Sequence, residues 1–315
     1  MSAQGHVSRM SLREKCAQMV FIGCGFPDPD PDRTSQLVRK DGVGGMLLSG
    51  GSVFDVPSFV NWAQKVAKFP VLVAADLEQG GRIAGATVFP PAAAIAATKS
   101  ADFAQTKGRH VGAEARALGI RMVLGPSAGD ALAPAEIEGY HYSKVAVCVK
   151  RFPDPGLGGL AGRAEAVLVG HEVVPELDEE QIASLSRTAI QGVLRRELRF
   201  EGLAVTDALS RLGGSPELVV RAANAGADVL LRPADPVKAI DALEEAAKTG
   251  RVSLSTIDRA VTRLLLHKER LGLFADRMVD IVGVEKTVGC PTHRAAADRI
   301  ASVVAQLSPG LNRAT

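Results

Sequence analysis

Aromatic side chains are scarce in this sequence: ten Phe, two Tyr and one Trp make up 4% of 315 residues. So few ring faces argue against a platform on which nucleic-acid bases stack. An excess of charge is also missing. Lys plus Arg number 37 against 35 Asp plus Glu, a net +2, which gives no electrostatic ground for binding a nucleic-acid backbone or an acidic membrane surface. No run approaches the roughly 18 consecutive apolar residues of a membrane helix. The opening stretch MSAQGHVSRMSLREK has no apolar core of signal-peptide length. Cys16, Cys24, Cys148 and Cys290 are scattered, with no C-x-x-C spacing, which speaks against zinc or a disulfide framework. Together these absences predict a cytosolic protein without metal or cofactor.

What the sequence has in quantity is short apolar runs. They lie at 18–24, 43–49, 70–76, 120–126, 144–150, 165–171, 202–208 and 227–233. Each is almost continuously apolar rather than alternating, the pattern of strands buried on both faces of a parallel sheet. Amphipathic stretches separate most of them. One begins near Asp55, taken as its cap; one ends at Gly119; one covers 178–198; one closes on Gly250; one follows Ser255, taken as its cap. Eight strands alternating with helices predict an α/β chain folded as a (β/α)8 TIM barrel, in preference to an open doubly wound sheet. No G-x-G-x-x-G follows the first run. The fifth and sixth runs lie too close for a full crossover helix, so their connection, PDPGLGGLAGRA, is expected to be stunted. That defect predicts an exposed apolar patch near Val147 and Val167, suited to cover by a partner subunit, and a monomer or homodimer. Residues 1–280 are assigned to the barrel and 281–315 to a helical extension ending in a polar tail.

In such a barrel the chemistry sits at the C-terminal ends of the strands. There the sequence places Asp76, Asp130, Lys150, His171 and Asp207. Any one of these aspartates is commonly just a cap or turn former, but five polar groups on one rim point to a polar ligand. A carboxylate at such a rim can attack an anomeric carbon and form a covalent intermediate. A second acid about 5–5.5 Å away then protonates the leaving oxygen.

Several motifs carry a family resemblance. SLREKCAQMVFIG (11–23), GVGGMLLSGG (42–51), AADLEQGGRI (74–83), VLVGHEVVPELD (167–178), the long stretch ending in TDAL (206–209) and AANAGADVLLRPADPVKAIDAL (222–243) resemble glycoside hydrolase family 3. Within it they are closest to the single-domain β-N-acetylglucosaminidases of bacterial cell-wall recycling. The resemblance spans nearly the whole chain, and TDAL is its most specific element. It implies a retaining hydrolase of β-linked N-acetylglucosamine with Asp207 as nucleophile. Asp76, Arg82, Asp130, Lys150, Arg151 and His171 are the expected carbohydrate contacts.

Departures from the family pattern fall in one place. Where the family carries K-H-F-P-G-H-G and a loop holding an acid/base histidine, this chain reads Lys150-Arg151-Phe152-Pro153-Asp154-Pro155-Gly156. Both histidines are gone, as are the family's R-S-F-G and a second Arg near Ala84 and Gly85. Asp154 lies nearest the lost flap and is the first candidate for a replacement acid. Glu172, His141 and Glu138 are others. Three readings follow: a weakened glycosidase; a carbohydrate-binding barrel without catalysis; and an unrelated barrel in which GADVLLRP and the next helix N-terminus hold phosphate.

Overall fold

The computed structural model describes residues 3–307. Eight strands form one parallel sheet: β1 Val20–Gly25, β2 Gly45–Ser49, β3 Leu72–Ala75, β4 Met122–Ser127, β5 Ala146–Phe152, β6 Ala166–Val169, β9 Leu203–Thr206 and β10 Leu230–Leu231. A short hairpin, β7 Val173–Val174 and β8 Asp178–Ile182, rises from the rim after β6. The order is β10-β1-β2-β3-β4-β5-β6-β9. The ring closes where Val205 bridges Val229 and Thr206 N donates to Val229 O at 3.0 Å. This is the (β/α)8 TIM barrel expected from the eight apolar runs.

Two hydrophobic regions follow from the two-residue period of a strand. Leu72 and Ala74, Ala146 and Cys148, and Leu203 and Val205 pack in the lumen. Their neighbours Val73, Ala75, Val147, Val149 and Ala204 pack outward against the helices. Strands buried on both faces therefore need no polar alternation, which is why they read as unbroken apolar runs. The lumen is dry enough to push the Cys148 thiol up to about 12, through burial above all.

Several local expectations need correction. The helix Asp55–Val66 is preceded by Ser52, whose hydroxyl accepts from Phe54 N and Asp55 N, both at 3.2 Å. Asp55 is thus inside the helix and not its cap. The cap of Leu254–Arg270 is Ser253, not Ser255. The amphipathic stretch at 178–198 does not begin as a helix: β8 occupies its start, and a π-helical segment forms only over Thr188–Glu197. The extension contains the helix Pro291–Leu307, and the expected polar tail, 308–315, lies outside the described residues.

The connection between β5 and β6 is indeed stunted, a single 3-10 turn at Pro155–Gly159. The exposed patch predicted from it is absent. Val147 and Val167 are fully buried, and Leu157 and Leu160 of that same connection are buried in the same hydrophobic core. The short connection thus contributes two buried leucines, three residues apart, to that core. Leu157→Ala is expected to lower unfolding free energy by about 2–5 kcal/mol, the range for truncating a buried leucine, as read by urea denaturation. A change within error would mean the connection does not seal the barrel.

Candidate active site

At the C-terminal rim the lumen columns end in polar residues. Two residues beyond Ala74, Cys148 and Val205 stand Asp76, Lys150 and Asp207. The same alternation that fills the barrel therefore aims these three side chains into its mouth. Lys150 Nζ lies 2.9 Å from Asp76 Oδ1 and 3.4 Å from Glu78 Oε1. Arg82 approaches Asp76 Oδ2 at 3.7 Å from the exposed loop that follows.

Asp207 is held by its own strand end and by two arginines. Its N–H donates to Val169 O at 2.8 Å, and Oδ1 accepts from Ala208 N at 2.7 Å. Oδ2 lies 3.3 Å from Arg211 Nη1 and 3.7 Å from Arg151 Nη2. Arg151 also reaches Glu172 Oε1 at 3.0 Å. The register between β5 and β6 shifts between Lys150 and Phe152, and such a bulge lets two consecutive side chains, Lys150 and Arg151, both address the mouth. Gly170 leaves room for this pairing: a Cβ there would sit 1.9 Å from Glu172 Oε2 and 3.4 Å from Arg151 Cδ.

His171 does not touch the Asp207 carboxylate. Its Nε2 lies 3.1 Å from Ala208 O and its Nδ1 2.7 Å from Ser184 Oγ. A carbonyl can only accept, so Nε2 carries the hydrogen and the Ser184 hydroxyl satisfies Nδ1. The ring braces the backbone next to Asp207.

The remaining expected site residues stand apart. Asp130 Oδ1 accepts from Leu132 N at 2.9 Å, forming a turn before the helix Ala133–Tyr142. Asp154 Oδ1 accepts from Gly156 N at 2.8 Å and caps the 3-10 turn. His141 pairs with Glu165, and Glu138 with Arg163, at the opposite end of the barrel, where the chain enters β6. Neither faces the mouth, so both leave the set of replacement acids. The start of the helix Pro236–Lys248, weighed as a phosphate holder, is occupied by Asp235, whose carboxylate accepts from Val237 N and Lys238 N. Sequence reasoning missed Glu78 and Arg211. Glu78 lay in plain view inside the quoted DLEQGGR. Arg211 carries only the i,i+4 spacing from Asp207 as a signal.

The loop bearing Glu78 and Arg82 is fastened from behind. Buried Glu114 accepts from Thr87 N at 2.8 Å, Thr87 Oγ1 at 2.6 Å, Gly289 N at 3.0 Å and His293 Nδ1 at 2.8 Å. One carboxylate thereby ties the end of this loop to the segment before the last helix. Gly289, at φ +62°, passes so near the loop that a Cβ would sit 2.1 Å from Gly85 O. Burial raises the Glu114 carboxyl, but the bonds from His293, Thr87 and Gly289 outweigh it and hold it below the usual carboxylate range.

Comparison with known proteins places this geometry. The sequence matches the glycosyl hydrolase family 3 N-terminal domain over residues 11–152 and 158–266, and the chain belongs to that family. The match breaks at 153–157, within the shortened connection. A β-N-acetylglucosaminidase/β-glucosidase of Cellulomonas fimi is 26% identical over 87% of this chain, which spans 60% of that protein's length. The β-hexosaminidase LpqI of Mycobacterium tuberculosis is 27% identical over 82% of this chain and 83% of its own. Among solved structures, a family 3 β-N-acetylglucosaminidase from Paenibacillus superimposes with TM-score 0.84 at 27% identity, over 93% of this chain and 68% of that one. No described helix is long and apolar enough to cross a membrane.

A depressed carboxyl stabilises the fold above the usual carboxylate range, and that contribution is lost as pH falls through its lowered folded value. Glu114→Gln should therefore lower the melting temperature most at neutral pH, with the gap to wild type narrowing as the solution is acidified. An equal deficit at all pH values would show that the charge on Glu114 is not what fastens the loop.

Proposed function

We propose that this chain is a retaining glycoside hydrolase of β-linked N-acetylglucosamine in which Asp207 is the nucleophile. The observation that carries the reading is the position of Asp207: the next inward residue above Val205, at the same mouth as a Lys150–Asp76 pair suited to sugar hydroxyls. The names of the relatives, β-hexosaminidase and β-N-acetylglucosaminidase, support the substrate class. In the first step an Asp207 oxygen forms a bond to the anomeric carbon as the bond to the leaving oxygen breaks. In the second, water cleaves that ester and returns Asp207 to its carboxylate. Asp76, Lys150, Arg82 and Arg151 hold the ring, and Asp130 and His171 shape the rim around it.

The leaving oxygen needs a proton, and no histidine loop supplies it. Glu172 is the better placed donor, because Arg151 joins it to Asp207, whereas Asp154 is turned into the Gly156 N–H. Want of a well-placed acid forfeits about 10²- to 10⁴-fold in rate. The chain is thus a slow enzyme on natural glycosides and a faster one on substrates whose leaving group needs no protonation. Its place is inside the cell, in the recycling of cell-wall amino sugars.

A second reading, carbohydrate binding without turnover, is favoured by one feature: both oxygens of Asp207 already have partners. One experiment separates the two. With an activated aryl β-N-acetylglucosaminide, wild type should turn over and Asp207→Asn should lose at least about a thousandfold in kcat. Binding with no turnover by wild type would select the second reading; equal rates for wild type and Asp207→Asn would remove the nucleophile. Glu172→Gln should slow only glycosides with poor leaving groups. If Asp154→Asn behaves that way and Glu172→Gln does not, Asp154 is the acid.

A further inference from the structure

The end of the barrel opposite the mouth, where the chain enters β6, β9 and β10, carries two adjoining open clefts of about 470 and 850 Å³. They share a wall made of Arg199, Glu201, Arg259 and Arg263. The arginines here outnumber the carboxylates free to pair with them. Arg195 and Arg263 both bond to the buried Asp228, Arg263 through Nη1 at 2.6 Å, so one carboxylate serves two guanidinium groups. Asp258 and Glu165, on the larger cleft, pair with Lys15 and His141. Glu201 pairs with none of the arginines. Arg199, Arg259 and Arg270 have no carboxylate partner among the described residues, and Arg259 makes only a 3.4 Å contact to Thr256 Oγ1.

His267 lines the larger cleft, is 4% exposed, and has no hydrogen-bond partner among the described residues. Burial, and after it the charge of Arg270, pushes its pKa down to about 4, so the ring is neutral and offers one N–H. Arg199 holds φ +52° just past the segment Thr188–Glu197, a left-handed position where glycine is the usual occupant. Like charges around a concave wall repel one another and focus a positive potential into it, and a bound anion relieves both. Clefts of this size suit a small molecule. Glu201 and Asp258 interrupt the positive wall, which disfavours a continuous polyanion such as nucleic acid. A phosphoryl group, with three terminal oxygens, can engage several guanidinium forks at once where a carboxylate offers two oxygens. We infer that these clefts bind a phosphate-bearing small molecule, its phosphoryl group seated on Arg199, Arg259 and Arg263 and the rest extending toward His267 and Arg270. The site lies at the opposite end of the barrel from Asp207 and does not depend on the glycoside reading.

The test is calorimetric titration of the full chain with pyrophosphate and, as a carboxylate anion of similar charge, citrate, at fixed ionic strength. Pyrophosphate should bind saturably, one per chain, about tenfold tighter than citrate. Arg199→Gly suits the left-handed backbone and Arg259→Gln replaces an exposed helical residue, so neither threatens folding. Each should weaken pyrophosphate binding about tenfold, the scale of losing one charge-assisted hydrogen bond. Arg39→Gln, an exposed arginine outside both clefts, should leave it unchanged. No saturable binding of pyrophosphate, equal affinity for citrate, or the same loss in Arg39→Gln overturns the proposal. Binding of a DNA oligonucleotide in proportion to its length, with no saturable pyrophosphate binding, would make the surface a nucleic-acid contact and also overturn it.

Discussion

The two-residue period of a β-strand is the constraint on which this molecule depends. Along β3, β5 and β9 it sends every second side chain into a lumen packed with Leu, Ala, Val and Cys, and the first residues above that packing are Asp76, Lys150 and Asp207. A one-residue slip of any of these strands would turn its polar residue toward the helices and its outward valines into the lumen. The charged mouth and the dry barrel are thus two ends of one pattern. His171 and Glu114 then fix what the pattern alone does not: the backbone after Asp207 and the loop after Asp76.

The electrostatics of the mouth bear on how readily a sugar could reach Asp207. Two guanidinium groups sit on Asp207 Oδ2, yet Arg151 and Arg211 are 43% and 66% exposed and approach at 3.7 and 3.3 Å. Ion pairs this open to water are worth about 0–1 kcal/mol each. Displacing them to seat a sugar is a small cost beside the gain from several charge-assisted hydrogen bonds. The arginines therefore gate the carboxylate without sealing it. The bond from Ala208 N to Oδ1 is different: it is short, local to the strand end, and orients the carboxylate without charge.

Much of the fold was legible because strands buried on both faces leave a direct trace, an apolar run, and eight of them close a barrel. The polar residues at the ends of those runs were legible for the same reason. Helix starts were misread where two hydroxyl or carboxyl groups compete within a few residues, as Ser253 with Ser255 and Ser52 with Asp55, since only geometry shows which oxygen meets the free N–H groups. The short connection buries Leu157 and Leu160 in the core, which a count of missing helices does not register. The Arg151–Asp207 and Glu114–His293 pairs join residues far apart in the chain and carry no motif, so only the folded chain brings them together.

The central claim is that Asp207 becomes covalently bonded to the sugar. The most direct measurement is mass spectrometry of the proteolysed chain after incubation with an activated, fluorinated N-acetylglucosaminide that slows the second step. The account predicts a single glycosyl adduct, on the Asp207 side chain within the peptide containing Thr206 and Ala208. Turnover of the same reagent with no adduct, or an adduct confined to another carboxylate, would contradict it.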